Sequence, residues 1–168
     1  MKKTFILFTI LFSMMASISA MDYDIFFTNE QLRIDYYIYG DSDSCTYALD
    51  KYVKEPVWGG TRKCLVDTLG YGDYFFEMSL HDSDVVIYSR GYCNLFGEWQ
   101  TTPEAEQLTR GFNESVIMPY PKEIVDVVFY LRGYDGNFVE KMRLTIDPDN
   151  YFIQDSPKYH YSIFNVHG

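Results

Sequence analysis

Between Gln31 and Tyr39 apolar and polar side chains alternate with period two. Leu32, Ile34, Tyr36 and Ile38 fall on one face, and Arg33, Asp35, Tyr37 and Tyr39 on the other. Successive side chains of an extended strand point to opposite faces, so this spacing fits a strand with one face on a core and rejects a helix. Gly40 to Ser44 reads Gly-Asp-Ser-Asp-Ser, which is turn chemistry. A weaker strand follows over Tyr47 to Val53 and ends at Pro56, with Trp58, Gly59 and Gly60 in a loop.

The extended signature returns along the chain. Tyr74 to Leu80 and Val85 to Tyr92 are rich in aromatic and β-branched residues. His81-Asp82-Ser83-Asp84 between them predicts a hairpin. Ile124 to Arg132 and Phe138 to Ile146 predict a second hairpin, whose turn Gly133-Tyr134-Asp135-Gly136-Asn137 carries an Asp-Gly pair suited to positive φ. Asp147-Pro148-Asp149-Asn150 is a further turn before a short strand at Tyr151 to Ile153. One segment departs from the pattern. Thr101-Thr102-Pro103-Glu104 has the form of a helix start, and Ala105, Leu108 and Phe112 continue it at helical spacing, with Gly111 near its end. Ser115 to Met118 then returns to an extended run, stopped by a rigid Pro119-Tyr120-Pro121 corner. Seven or eight short strands and one short helix predict an all-β fold, an antiparallel immunoglobulin-like β-sandwich.

The beginning of the chain has a different grammar. Lys2 and Lys3 precede an apolar run from Phe5 to Met15, and mostly small residues follow to Ala20. That order predicts a bacterial signal peptide over residues 1–20, cleaved after Ala20 or one residue earlier. The apolar run falls short of the roughly 20 residues that span a bilayer as a helix. The exported protein is then periplasmic or secreted, with no membrane attachment after cleavage. Residues 21–154 form one β-sandwich domain, and residues 155–168 form a tail or the start of a linker.

Removing Lys2 and Lys3 from 14 basic residues leaves 12 against 24 acidic ones, a net charge of −12. Such a surface repels nucleic acid and anionic lipid, so nucleic acid is excluded as a partner. Cys45, Cys64 and Cys93 allow one disulfide with a thiol left over. No Cys-x-x-Cys pair occurs, and burial as free, small hydrophobic residues is the favoured reading.

No catalytic constellation emerges. His81 lies in a turn, and His160 and His167 stand seven apart with no neighbouring Glu, unlike a His-Glu-x-x-His helix. No nucleophile elbow and no phosphate-cradling glycine loop is present, and Gly70-Tyr71-Gly72 reads as turn glycine. Asp41 with Asp43, Asp82 with Asp84, and Asp147 with Asp149 read as turn carboxylates rather than calcium ligands. No catalytic residue, metal ligand or cofactor is therefore assigned. The 16 Tyr, 13 Phe and two Trp residues leave one open possibility. Tyr37, Tyr39, Trp58, Trp99 and Tyr120 are candidates for a sugar- or peptide-stacking surface, with Trp99, Tyr120 and Trp58 as the candidate binding residues, against the alternative that they fill the core. The Asn113-Glu114-Ser115 sequon carries little weight beside a bacterial export signal.

Several phrases form an ordered set: Leu32-Arg33-Ile34-Asp35-Tyr36, Trp58-Gly59-Gly60, Phe96-Gly97-Glu98-Trp99-Gln100-Thr101-Thr102-Pro103-Glu104-Ala105, Met118-Pro119-Tyr120-Pro121-Lys122 and Asp147-Pro148. Over about Asp22 to Gln154 the chain resembles the N-terminal, non-catalytic domain of secreted bacterial zinc peptidases of the IgA-peptidase family. The resemblance implies a β-sandwich preceding a separate zinc-binding metallopeptidase catalytic domain, and Ile163 to Gly168 resembles the opening of the linker into it. The catalytic motif of that second domain has no counterpart among these residues, so no zinc ligand transfers. What the resemblance implies is an accessory role in folding, docking or glycoprotein substrate engagement. The corner formed by Phe96 to Glu104 and Pro119 to Lys122 is the expected contact region. The alternatives that stay open are the front half of a split peptidase and a stand-alone secreted glycan- or protein-binding adhesion module.

Overall fold

A computed structural model describes residues 22–157. The predicted signal peptide and residues 158–168 of the predicted tail, with His160 and His167, lie outside the described residues. The chain begins with one helical turn, α1 (Tyr23–Phe26), capped by the Asp22 side chain. Eight strands follow: β1 (Phe27–Gly40), β2 (Cys45–Glu55), β3 (Tyr74–Leu80), β4 (Val86–Tyr92), β5 (Arg110–Pro121), β6 (Val125–Arg132), β7 (Phe138–Ile146) and β8 (Gln154–Asp155). A second short helix, α2 (Leu95–Gln100), lies between β4 and β5.

The strands form two four-stranded sheets, ordered β5-β1-β2-β8 and β4-β3-β6-β7. All pairings are antiparallel except β2 with β8. Three hairpins, β1–β2, β3–β4 and β6–β7, stay within a sheet, and the β2–β3, β4–β5, β5–β6 and β7–β8 connections cross between sheets. The sandwich is the one the alternation predicts. Within it β1 lies between β5 and β2, whereas the first strand of an immunoglobulin domain stands at a sheet edge.

The alternating residues of β1 explain the core. Leu32, Ile34, Tyr36 and Ile38 are fully buried beside Met118 of β5 and pack with Phe76 and Met78 on β3, Ile87 on β4, and Val127 and Phe129 on β6. Aromatic rings bridge the layers, as where Tyr36 lies 5.2 Å from Phe129 and Phe27 meets Tyr88 edge-on. Pro119 and Pro121 are tolerated inside β5 because that strand is a sheet edge, where a missing N–H breaks no ladder on the solvent side.

Several expectations are corrected. The helix lies before Thr101, not after it. Asn94 is its N-cap and accepts from Gly97 N, and Thr101 is its C-cap. The hydroxyls of Thr101 and Thr102 donate backwards to the carbonyls of Glu98 and Trp99, closing that helix instead of opening another. Gly111 and Phe112 belong to β5, which begins well before Ser115. The last strand is Gln154–Asp155, while Tyr151 and Phe152 stay in the preceding turn, so the predicted tail begins with a paired strand. Cys64 and Cys93 are exposed free thiols and Cys45 is half-buried, because all three stand at strand ends or in loops and not on core faces.

Candidate functional site

The outer face of the first sheet carries a pair of half-exposed aromatic side chains, Tyr37 and Tyr39. β1 is central there, so its outward residues have neighbours on both sides. Tyr37 stands opposite Ala48 of β2 and Asn113 of β5, and Tyr39 opposite Thr46 and Gly111. The two rings are thus spaced about 7 Å along one strand, on one face. Their flanking residues are small or short, and the tyrosines are 45% and 44% exposed. Among the described residues neither hydroxyl has a hydrogen-bond partner and neither ring stacks on another. An aromatic face offers a flat apolar platform with a negative quadrupole, and the hydroxyl at its rim can donate or accept.

Beside this platform β1 holds a polar network. Arg33 donates from Nε and Nη2 to the two oxygens of Asp35 at 2.8 and 3.2 Å, and from Nη1 to Glu55 at 2.5 Å. Ser115 Oγ donates to Asp35 Oδ1 at 2.7 Å, Lys51 Nζ lies 3.7 Å from Oδ2, and Gln31 Nε2 donates to Glu55. Burial pushes the Asp35 carboxyl up, but the bonds from Arg33 and Ser115 and the nearby cations outweigh it and hold the carboxyl below its ordinary range. The bidentate Arg33–Asp35 pair fixes the sheet surface next to the tyrosines, so the face is rigid and charged at one end and apolar at the other.

The other aromatic candidates are placed differently. Trp58, Trp99 and Tyr120 are all buried. Trp58 Nε1 donates to the Thr61 carbonyl, and its ring meets Tyr88 edge-on. Trp99 Nε1 donates to Glu104 at 2.8 Å, with its ring between Phe96 and Phe112. Tyr120 donates to the Pro148 carbonyl at 2.6 Å beneath Lys54. Each has the partners that buried amphipathic rings require, and together they make no common surface. The expected contact corner is also divided. Phe112, which anchors Trp99, and Tyr120 are eight residues apart on one strand, about 26 Å. The sequence does contain the signal for the tyrosine pair, since Tyr37 and Tyr39 occupy the outward phase of the β1 alternation.

Two polar regions complete the surface. A cleft of about 380 Å³ opens beside the β3–β4 turn, lined by Glu77, Asp82, Asp84, Asp126 and Arg143 among others. His81 Nδ1 lies 3.0 Å from Asp126, whose other oxygen accepts from Thr145. That bond to Asp126 raises the His81 pKa, and the Thr145 hydroxyl, followed by His81, holds Asp126 low. Asp41 and Asp147 act as turn carboxylates, each accepting from the backbone N–H two residues on. Among the described residues no group of three or more His, Cys, Asp or Glu side chains is placed to hold a metal ion. The described histidine, His81, is already committed to two carboxylates, so these residues do not fit the zinc of a metallopeptidase.

No curated protein matches the chain. A family model described as Peptidase M64 N-terminus matches residues 22–143, which takes in α1, β1 to β6, α2 and most of β7. The chain therefore belongs to the Peptidase M64 N-terminus family.

Proposed function

We propose that this sandwich is an exported, non-catalytic accessory domain that engages glycoprotein substrate for a zinc peptidase of the IgA-peptidase kind, with Tyr37 and Tyr39 as the contact residues. The observation that carries the reading is the family match over residues 22–143, which ties nearly all of the described chain to the N-terminal part of a peptidase family. The tyrosine platform supports the substrate role. Two exposed aromatic faces on a flat, rigid sheet suit the apolar faces of sugar rings, and the adjacent Asn113 offers an amide to their hydroxyls. The acidic charge and the signal peptide predicted over residues 1–20 support a place outside the cytoplasm.

The test incubates the purified protein with immunoglobulin A in the presence of zinc and follows both binding and cleavage. Binding without hydrolysis is expected. Hydrolysis by this chain alone contradicts a non-catalytic role, and absence of binding contradicts substrate engagement.

A further inference from the structure

The end of the sandwich where β3 begins and β6 ends is built around one side chain. The guanidinium of Arg132 donates from Nε to the Gly72 carbonyl at 3.1 Å, from Nη1 to the Gly136 carbonyl at 2.9 Å, and from Nη2 to the Gly70 carbonyl. Those three residues, at φ of +60° for Gly70, +91° for Gly72 and +82° for Gly136, are the positive-φ glycines among the described residues. One cation thus gathers three left-handed backbone units from two loops, residues 67–73 and 133–137. Asp67 locks the first loop from the other side, accepting from Leu69 N, Gly70 N and Gly91 N. What this scaffold presents is apolar. Leu69 is 70% exposed, Tyr71 74%, and Tyr134 fully so. Holding three large apolar side chains in water on a backbone already ordered removes much of the entropic cost of docking them.

We propose that this clamped tip inserts Leu69, Tyr71 and Tyr134 into an apolar pocket with a lysine- or arginine-lined rim on a separate protein. The charge around the tip selects that occupant. Asp73 and Asp135 are exposed beside the aromatic residues, while the Arg132 charge is turned onto the three carbonyls. A second copy in a two-fold contact would set these carboxylates against themselves. An anionic bilayer is repelled by the same groups and by the net charge of −10. The surface is distinct from the Tyr37 and Tyr39 face and does not rest on the glycoprotein reading.

The test introduces Tyr134→p-benzoylphenylalanine, irradiates the protein in the cells that make it, and identifies the adduct and its linked peptide by mass spectrometry. The expected result is one protein adduct, with the linked peptide in an apolar pocket flanked by Lys or Arg. Its yield should fall at least about tenfold with Tyr71→Ser and stay unchanged with Tyr151→Ser, an exposed tyrosine at the opposite end. Both serine variants replace exposed side chains, so the fold is retained and circular dichroism checks it. A linkage to another copy, to lipid, or to a site without basic neighbours overturns the proposal, as does no adduct or a yield indifferent to Tyr71→Ser.

Discussion

Asp35 lies on the outward phase of β1 and is nevertheless buried, because Arg33, Lys51 and Ser115 close over it. Asp35→Asn leaves the Arg33 fork with one anionic partner fewer, and a loss of about 1–3 kcal/mol of unfolding free energy, read by denaturant titration, is expected. The pH dependence has a definite sign. A carboxyl whose folded pKa is depressed contributes stability that is present above its unfolded value and is lost as pH falls through the folded one. Acid unfolding followed by tryptophan fluorescence should therefore show a shallower acid limb in Asp35→Asn than in the parent. At this scale the sequence shows which β1 side chains point outward. It does not show which aromatic residues find internal partners. Trp99 depends on Glu104 and Tyr120 on the Pro148 carbonyl, and only the assembled sandwich brings the latter pair together.

Strands were more legible than helices, for a local reason. Period two is repeated over many residues in β1, β3 and β7, and neighbouring turns reinforce it. The six-residue α2 offers too few turns for a period, and its cap, Asn94, resembles any loop asparagine. Asn94→Ala should cost about 1 kcal/mol through loss of the cap to Gly97 N, read as a lower thermal midpoint. Thr101→Ala removes only a hydroxyl bond at the exposed C-terminus, so a smaller shift is expected. The β3–β4 turn carries its own pH response. His81, raised above its ordinary 6.5 by Asp126, stabilises the turn fully below that value and loses this contribution as pH rises through its folded pKa. Amide exchange around His81 to Asp84 should accelerate on that rise, and Asp126→Asn should weaken the pH dependence, with Asp82 still beside the ring.

At the scale of the whole molecule the fold class could be read and the wiring could not. Strand count and the β3–β4 and β6–β7 hairpins follow from local patterns. The pairing of β1 with β5, joining Asp35 to Ser115 across 80 positions, leaves no local trace. The division of the surface is likewise tertiary. The sheet order sets Tyr37 and Tyr39 on a broad face, and the Arg132 clamp sets Leu69, Tyr71 and Tyr134 on a narrow end. The measurement that bears most directly on the proposed role is the affinity for immunoglobulin A, native and enzymatically deglycosylated, of the parent and the Tyr37→Ala/Tyr39→Ala variant. Deglycosylation and the double substitution are each expected to weaken binding by roughly tenfold or more while the thermal midpoint stays near that of the parent. Equal affinity across the four combinations would contradict the proposed role.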